Sequence, residues 1–164
     1  GTFTSHGTSM VIIDSYVHYL NIIFLGTGLI TVLIASAYLE KEKIVEDTEF
    51  YMLLLFSVCG MMLMGMANDL ILVFIALELL SIPLYVMCGI ARPRQESEEA
   101  AMKYFLLGAF ASGFLVFGIA LLYGSTGSTS LPLVAQNFGG SLSMAGLAMF
   151  FVGLAFKVGS QAIC

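Results

Sequence analysis

The chain has 164 residues, of which 59% are hydrophobic and 10% are charged, and its mean hydropathy is +0.99. Soluble globular domains carry about 25% charged residues. This composition therefore excludes an ordinary water-soluble fold and indicates a protein that is solvated by lipid. The net charge of −5 carries little information about partners, because most of the acidic residues lie in two short loops.

Five long apolar runs dominate the sequence, and each approaches the length of about 20 residues that crosses the hydrocarbon core as a helix. We predict helices because an open strand edge in lipid would leave backbone groups unpaired. The chain is therefore predicted to be an all-α membrane protein, with an outer N-terminal segment (1–16) followed by a helix bundle (17–164). The predicted helices cover about residues 17–38, 50–67, 70–91, 100–123 and 142–163.

The basic residues predict the orientation of these helices. Lys41 and Lys43 follow the first predicted helix. Arg92 and Arg94 follow the third, so two crossings separate the two basic loops and both lie on one side. The segments on the opposite side, including the 124–141 loop, contain no lysine or arginine. The positive-inside rule then places the basic loops in the cytoplasm, or in the matrix or stroma of an organelle.

Charged residues inside the predicted helices are the candidate functional residues. Glu78 stands in "ALELLSIPLY" (76–85), near the middle of the third helix. A central acidic residue costs roughly 2.5–3.5 kcal/mol on insertion scales, which suggests a charged partner or a water-filled cavity. Lys157 lies deep in the last helix, whereas Lys103 lies near the cytoplasmic end of the fourth and can extend toward the surface. A structural ion pair for Glu78 and an interfacial anchor for Lys103 remain open alternatives.

A second signal follows Glu78 along the same helix. Pro83 cannot donate a hydrogen bond to the carbonyl of Leu79, which leaves that carbonyl free to bind water. Ser81 and Tyr85 follow Glu78 at three and seven residues, so these polar groups share one helix face. A carboxylate, a hydroxyl and a loosened backbone together predict a hydrated path.

Other polar and small residues have structural interpretations. Asp69 precedes the third helix and is interpreted as its cap. Gly108, Ser112 and Gly113 are interpreted as small residues that permit close contact between helices.

Two long stretches resemble a known family: "NDLILVFIALELLSIPLYVMCGIAR" and "SEEAAMKYFLLGAFASGFLVFGIALLYGSTGSTSL". They are similar to the antiporter-like subunit N, also called subunit 2, of respiratory complex I, most strongly over about residues 49–131. The segment "GLAFKVG" (153–159) looks like the seventh helix of that family. The resemblance implies that the five helices form one of two inverted five-helix repeats in a bundle of about fourteen helices.

The resemblance also implies roles for the charged residues. Family members carry a glutamate in the fifth helix and lysines in the sixth and seventh, at positions that match Glu78, Lys103 and Lys157. In the family these residues belong to the proton path, where a Glu–Lys pair tunes a lysine that takes up and passes on protons. The residues on the hydrated face described above would support them.

The predicted function is proton translocation in an NADH:quinone oxidoreductase, driven by redox chemistry elsewhere in the complex. The sequence has no iron–sulfur ligand set and no flavin or nucleotide motif, so NADH, flavin, iron–sulfur and quinone are expected in partner subunits. The expected partners are other membrane subunits of complex I and the lipid of a bacterial or mitochondrial inner membrane, with no nucleic acid. Two alternatives remain: a subunit of a multisubunit cation/proton antiporter, and a non-catalytic structural membrane piece.

The chain departs from the family pattern at its end. After "FKVG" the family continues to a Pro-His stretch, whereas this chain reads "SQAIC". A truncated gene, a split subunit and a shifted reading frame would each explain this tail. In the split case, a second chain would complete the subunit.

Overall fold

The computed structural model describes residues 4–5, 8–42, 47–90 and 95–160. Five of its helices are long and apolar enough to cross a membrane, which confirms the predicted all-α membrane fold. A two-stranded antiparallel hairpin, β1 (Thr4–Ser5) and β2 (Thr8–Ser9), precedes them. The helices are α1 (Ser15–Glu42), α2 (Asp47–Met66), α3 (Leu70–Cys88), α4 (Gln95–Thr126), α5 (Leu131–Gln136) and α6 (Gly140–Ser160). The basic loop residues Lys43, Arg92 and Arg94 lie outside the described residues.

Two helical segments lie outside the apolar runs of the sequence. The fourth helix, α4, begins at Gln95, because acidic residues such as Glu98 are favourable in the first turns of a helix. The uncharged 124–141 loop contains the short helix α5, which has a proline in its first turn, where the missing N–H costs no hydrogen bond.

The start of α3 is fixed by a buried carboxylate. Asp69, which is only 1% exposed, caps the helix: its Oδ1 accepts a hydrogen bond from the backbone N–H of Ile71 at 2.9 Å. Its Oδ2 accepts one from the Thr129 hydroxyl at 2.7 Å. The predicted cap is therefore confirmed, and it also joins α3 to the loop that follows α4.

Backbone hydrogen bonds join three segments at this end of the bundle. Asn68 N donates to Met10 O at 2.9 Å, which ties the N-terminal segment to the turn between α2 and α3. Leu70 N donates to Thr129 O at 2.9 Å, and Leu131 N donates to Asn68 O at 3.1 Å. The N-terminal segment, the α2–α3 turn and the α4–α5 loop therefore lie together, as expected for segments predicted on one side of the membrane.

The antiparallel pair α4 and α6 forms the most extensive helix contact among the described residues. Its backbones approach so closely that glycine is required on both helices. A Cβ added to Gly153 would lie 2.8 Å from Leu115 N and 2.9 Å from Ala111 O. Small residues permit this approach between membrane helices. The glycines that make such backbone contacts are Gly118, Gly146 and Gly153.

Replacing Gly153 by alanine tests this contact. The added methyl group would overlap the backbone of α4, and overpacking of this kind typically costs about 1–3 kcal/mol. We expect Gly153→Ala to lower the thermal stability of the assembled protein in detergent. The same change at Gly159 of α6, where an added Cβ would meet nothing within 4 Å, is the matched control. Equal stability of the two variants would contradict the close packing of α4 on α6.

Two exposed glutamines provide a test of the predicted orientation. Gln95 starts α4 on the predicted inner side, and Gln136 ends α5 on the predicted outer side. In a background without the three native cysteines, Gln95→Cys should react with a membrane-impermeant thiol reagent only in inverted vesicles. Gln136→Cys should react only in right-side-out vesicles. Reaction of both in the same vesicles would show that the orientation is wrong.

Candidate functional site

Two of the membrane-spanning helices carry one charged residue each, and these residues meet. Glu78 is the one charged residue of α3, and Lys157 is the one charged residue of α6. Lys157 Nζ lies 2.5 Å from Glu78 Oε1. The side chain of Lys157 is 6% exposed and that of Glu78 is 22% exposed. The two helices therefore cancel each other's charge inside the bundle.

The position of this pair explains why the contact is needed. Glu78 is the ninth residue of α3, close to the middle of a membrane-spanning helix. Opposite charges attract by about 4 kcal/mol at 4 Å when the effective dielectric constant is 20. Removing one partner of a buried pair typically costs about 3–5 kcal/mol, because the other charge is left without compensation. The fold therefore depends on neither charge being left without the other.

Ser112 of α4 is the third member of the site. Its hydroxyl lies 2.6 Å from Glu78 Oε1, to which it donates, and 3.2 Å from Lys157 Nζ, from which it accepts. The same hydroxyl lies 2.9 Å from the carbonyl oxygen of Gly108, one turn earlier on α4. We call Glu78, Ser112 and Lys157 the buried charge cluster; it joins α3, α4 and α6.

Sequence reasoning missed the polar role of Ser112. Its partners in the cluster lie 34 and 45 residues away along the chain. The period of a single helix carries no information about contacts at that separation. The available signal was a hydroxyl in an otherwise apolar stretch, "FASGF" (110–114), and it was interpreted as a small packing residue.

Tyr85 lies two turns beyond Glu78 on α3 and packs against α4. Its ring meets that of Tyr104 edge to face, with centroids 4.6 Å apart. A Cβ added to Gly108 would lie 2.1 Å from Tyr85 Oη, so Gly108 leaves space for this side chain. Tyr85 Oη is buried, with the Ser81 side chain of the same helix near it. A Cβ added to Gly113, by contrast, would meet nothing within 4 Å, so the close helix contact predicted for it is not seen in the described part of the chain.

The other two residues of the predicted hydrated face are also buried in α3. The Ser81 hydroxyl donates to the carbonyl oxygen of Leu77 at 2.6 Å, so it is directed toward its own helix backbone. Pro83 lies within α3 without ending it. These two residues lie between Glu78 and Tyr85, but neither joins the buried charge cluster directly.

Lys103 lies apart from the cluster. Its Nζ is 2.5 Å from a carboxylate oxygen of Glu99, one turn earlier on α4, and the two side chains are 64% and 66% exposed. Lys157 is thus the lysine that Glu78 contacts, while Lys103 belongs to a surface ion pair of this chain.

An open groove of about 410 Å³ lies between the end of α3 and the start of α4. Tyr85 and Gly89 line it from α3 and its C-cap, and Glu98 and Met102 line it from α4. Tyr85 lies between this groove and Glu78 along α3.

The chemistry available at the site is that of proton exchange. An amine and a carboxylate in contact can hold or release a proton, and a hydroxyl beside them can donate and accept hydrogen bonds. In the described part of the chain, no group of three or more His, Cys, Asp or Glu residues could hold a metal ion.

The sequence of the chain matches a known protein family. The family model described as "NADH:quinone oxidoreductase/Mrp antiporter, TM" matches residues 67–163, which contain the whole cluster. The chain is 46% identical over 159 residues to NADH-quinone oxidoreductase subunit N 2 of Roseiflexus castenholzii, across 92% of this chain and 32% of that protein. It is 53% identical over 119 residues to subunit N of Mycobacterium tuberculosis, across 70% of this chain and 22% of that protein.

A solved structure shows the same fold. The chain matches a chain of respiratory complex I from Thermus thermophilus with bound aureothin, with a TM-score of 0.72 and 34% sequence identity. The match covers 92% of this chain and 32% of the other chain. The chain thus spans about a third of the length of several relatives that it matches. It belongs to the NADH:quinone oxidoreductase/Mrp antiporter family of transmembrane proteins.

Proposed function

We propose that the chain is part of a proton-translocating membrane subunit of an NADH:quinone oxidoreductase. The observation that supports this most directly is the contact between Glu78 and Lys157 inside a membrane-spanning bundle. The names of the relatives, which are subunits N of NADH-quinone oxidoreductases, support the choice of complex. Electron transfer, with its NADH, flavin, iron–sulfur and quinone, is assigned to partner subunits in a bacterial or mitochondrial inner membrane.

In this proposal Lys157 is the residue that takes up and releases the proton. Glu78 is its counter-ion: the carboxylate stabilises the ammonium in a region of low dielectric constant. When Lys157 transfers its proton to a water molecule beside the cluster, the amine becomes neutral and its attraction to Glu78 is lost. Redox chemistry in the partner subunits supplies the free energy for this cycle.

Water on the α3 face would connect the cluster to the inner side. In this proposal the open groove that Tyr85 lines is the inner end of this route. The carbonyl that Pro83 leaves free lies between Tyr85 and Glu78 and extends the same line of polar groups.

Lys103 is assigned to the same path at a separate step. It lies on α4, the helix that also carries Ser112, but its ammonium pairs with Glu99 at the surface of this chain. In the proposal it exchanges protons with groups outside the buried charge cluster. The direct contact of Glu78 is with Lys157.

The substitution Glu78→Gln tests the role of the counter-ion. It keeps the shape of the side chain but removes an attraction on the order of 1–4 kcal/mol. Since 1.36 kcal/mol corresponds to tenfold in rate, we expect proton pumping to fall by about fivefold or more. Electron input to artificial acceptors should remain unchanged. The measurement is proton uptake by vesicles that contain the assembled complex, with assembly verified on a native gel.

Two further variants test whether the charge of Glu78 is the property that matters. Glu78→Asp keeps the charge with a shorter reach and should lose less activity. Glu49→Gln makes the same chemical change at an exposed glutamate of α2 and should pump normally. Wild-type pumping by an assembled Glu78→Gln complex would refute the proposed role. Sodium-dependent proton exchange without any link to quinone reduction would instead identify a cation/proton antiporter.

A paired substitution separates proton transport from structural charge pairing. Lys157→Met alone leaves Glu78 as an unpaired carboxylate and should reduce assembly of the complex. Adding Glu78→Gln removes that carboxylate, so assembly should recover while pumping stays lost. The measurements are the amount of complex on a native gel and proton uptake per electron transferred. If the double variant pumps at the wild-type rate, the pair serves only to hold the helices together.

A further inference from the structure

We propose that Ser112 is a positioning residue of the proton path, which keeps Glu78 hydrogen-bonded in place while Lys157 loses and regains its proton. This inference rests on the proposed function and adds a residue to it. The observation that carries it is the position of one hydroxyl between a carboxylate, an ammonium and a backbone carbonyl.

The hydroxyl of Ser112 has two acceptors within reach but only one hydrogen. It lies 2.6 Å from Glu78 Oε1 and 2.9 Å from the carbonyl oxygen of Gly108. A hydroxyl donates one hydrogen bond at a time, so it donates either to the carboxylate or to the carbonyl. The shorter distance falls in the range of charge-assisted O–H···O⁻ bonds. The hydroxyl can therefore change partner by rotation about one bond.

Other hydroxyls in these helices show what is particular about Ser112. Serine and threonine in helices commonly donate to the carbonyl four residues earlier. Thr27, Thr31 and Ser81 all make this bond. Ser112 has the same option with Gly108, and it also reaches the carboxylate of a neighbouring helix.

Glu78 needs a second donor for a physical reason. While Lys157 carries its proton, the ammonium compensates the carboxylate. Once Lys157 has released the proton, the neutral amine no longer compensates the charge and is a weaker donor, and a buried carboxylate short of strong donors is unfavourable. The Ser112 hydroxyl then donates to Glu78 and holds it where Lys157 will be protonated again. When the ammonium forms once more, the hydroxyl accepts from Lys157 and donates either to Glu78 or to Gly108.

The test compares three substitutions at Ser112 in the assembled complex. Ser112→Ala removes the hydroxyl and should lower proton pumping about tenfold, as expected for the loss of a hydrogen bond to a charged group. Ser112→Thr keeps the hydroxyl and should pump within about twofold of wild type. Ser112→Cys keeps the size of the side chain but has a weaker donor, so its proton pumping should be reduced. If Ser112→Ala fails to assemble, Ser112→Cys is compared with Ser112→Thr in its place.

Ser125 provides the matched control. It lies on the same helix and accepts a hydrogen bond from Ser143 of α6 at 3.0 Å, across the same helix contact. Its own hydroxyl donates to Leu122 O at 2.9 Å. Ser125→Ala therefore removes a hydroxyl at the α4–α6 contact, away from the buried charge cluster, and it should pump normally.

A double variant distinguishes the failure of this inference from that of the proposed function. In a Glu78→Gln background, Ser112→Ala should cause less than about a twofold further loss, because residues that act together are not additive. Full additivity, equal losses in Ser112→Ala and Ser112→Thr, or normal pumping by Ser112→Ala would each overturn the inference. Normal pumping by Glu78→Gln alone would overturn the proposed function, and the inference with it.

Discussion

A charge in hydrocarbon requires an opposite charge beside it, and this requirement organises the bundle. Glu78 and Lys157 are the one charged residue of α3 and of α6, so their contact selects the face that each helix turns inward. The helix between them, α4, must then present a surface that lets the two side chains meet. Ser112 meets this need because it is small enough to admit both side chains and polar enough to bind them. Packing and the proposed function thus depend on one cluster.

The glycines of α4 and α6 make that contact possible. Gly153 lies one turn before Lys157, and its missing side chain allows the backbones to approach at Leu115 and Ala111. A wider spacing would move the ammonium away from Ser112 and Glu78. Apolar packing between backbones therefore determines the distance at which a polar site operates, although the glycines carry no polar side chain.

The membrane-spanning helices and the presence of a carboxylate inside one of them could be predicted from the sequence, because both follow from local composition. It left open which lysine pairs with Glu78, and it missed the polar role of Ser112. Those facts depend on contacts between helices that are far apart in the chain. The family resemblance implied a role for both Lys103 and Lys157. Only the packing of the helices shows that Lys103 forms an exposed ion pair and Lys157 a buried one. The short helix α5 was not predicted because its run is too brief for periodicity to reveal.

The outer end of the bundle constrains how the cluster can move. Asp69 and Thr129 tie the start of α3 to the loop after α4, and backbone hydrogen bonds run alongside that link. Sliding α3 along α4 by one turn would break these bonds, and sliding α6 would force Gly153 past the backbone of Leu115. These contacts hold the helices in one frame. In the proposed cycle, Lys157 would then separate from Glu78 by rotation about side-chain bonds, so only a few atoms would move within a stationary scaffold.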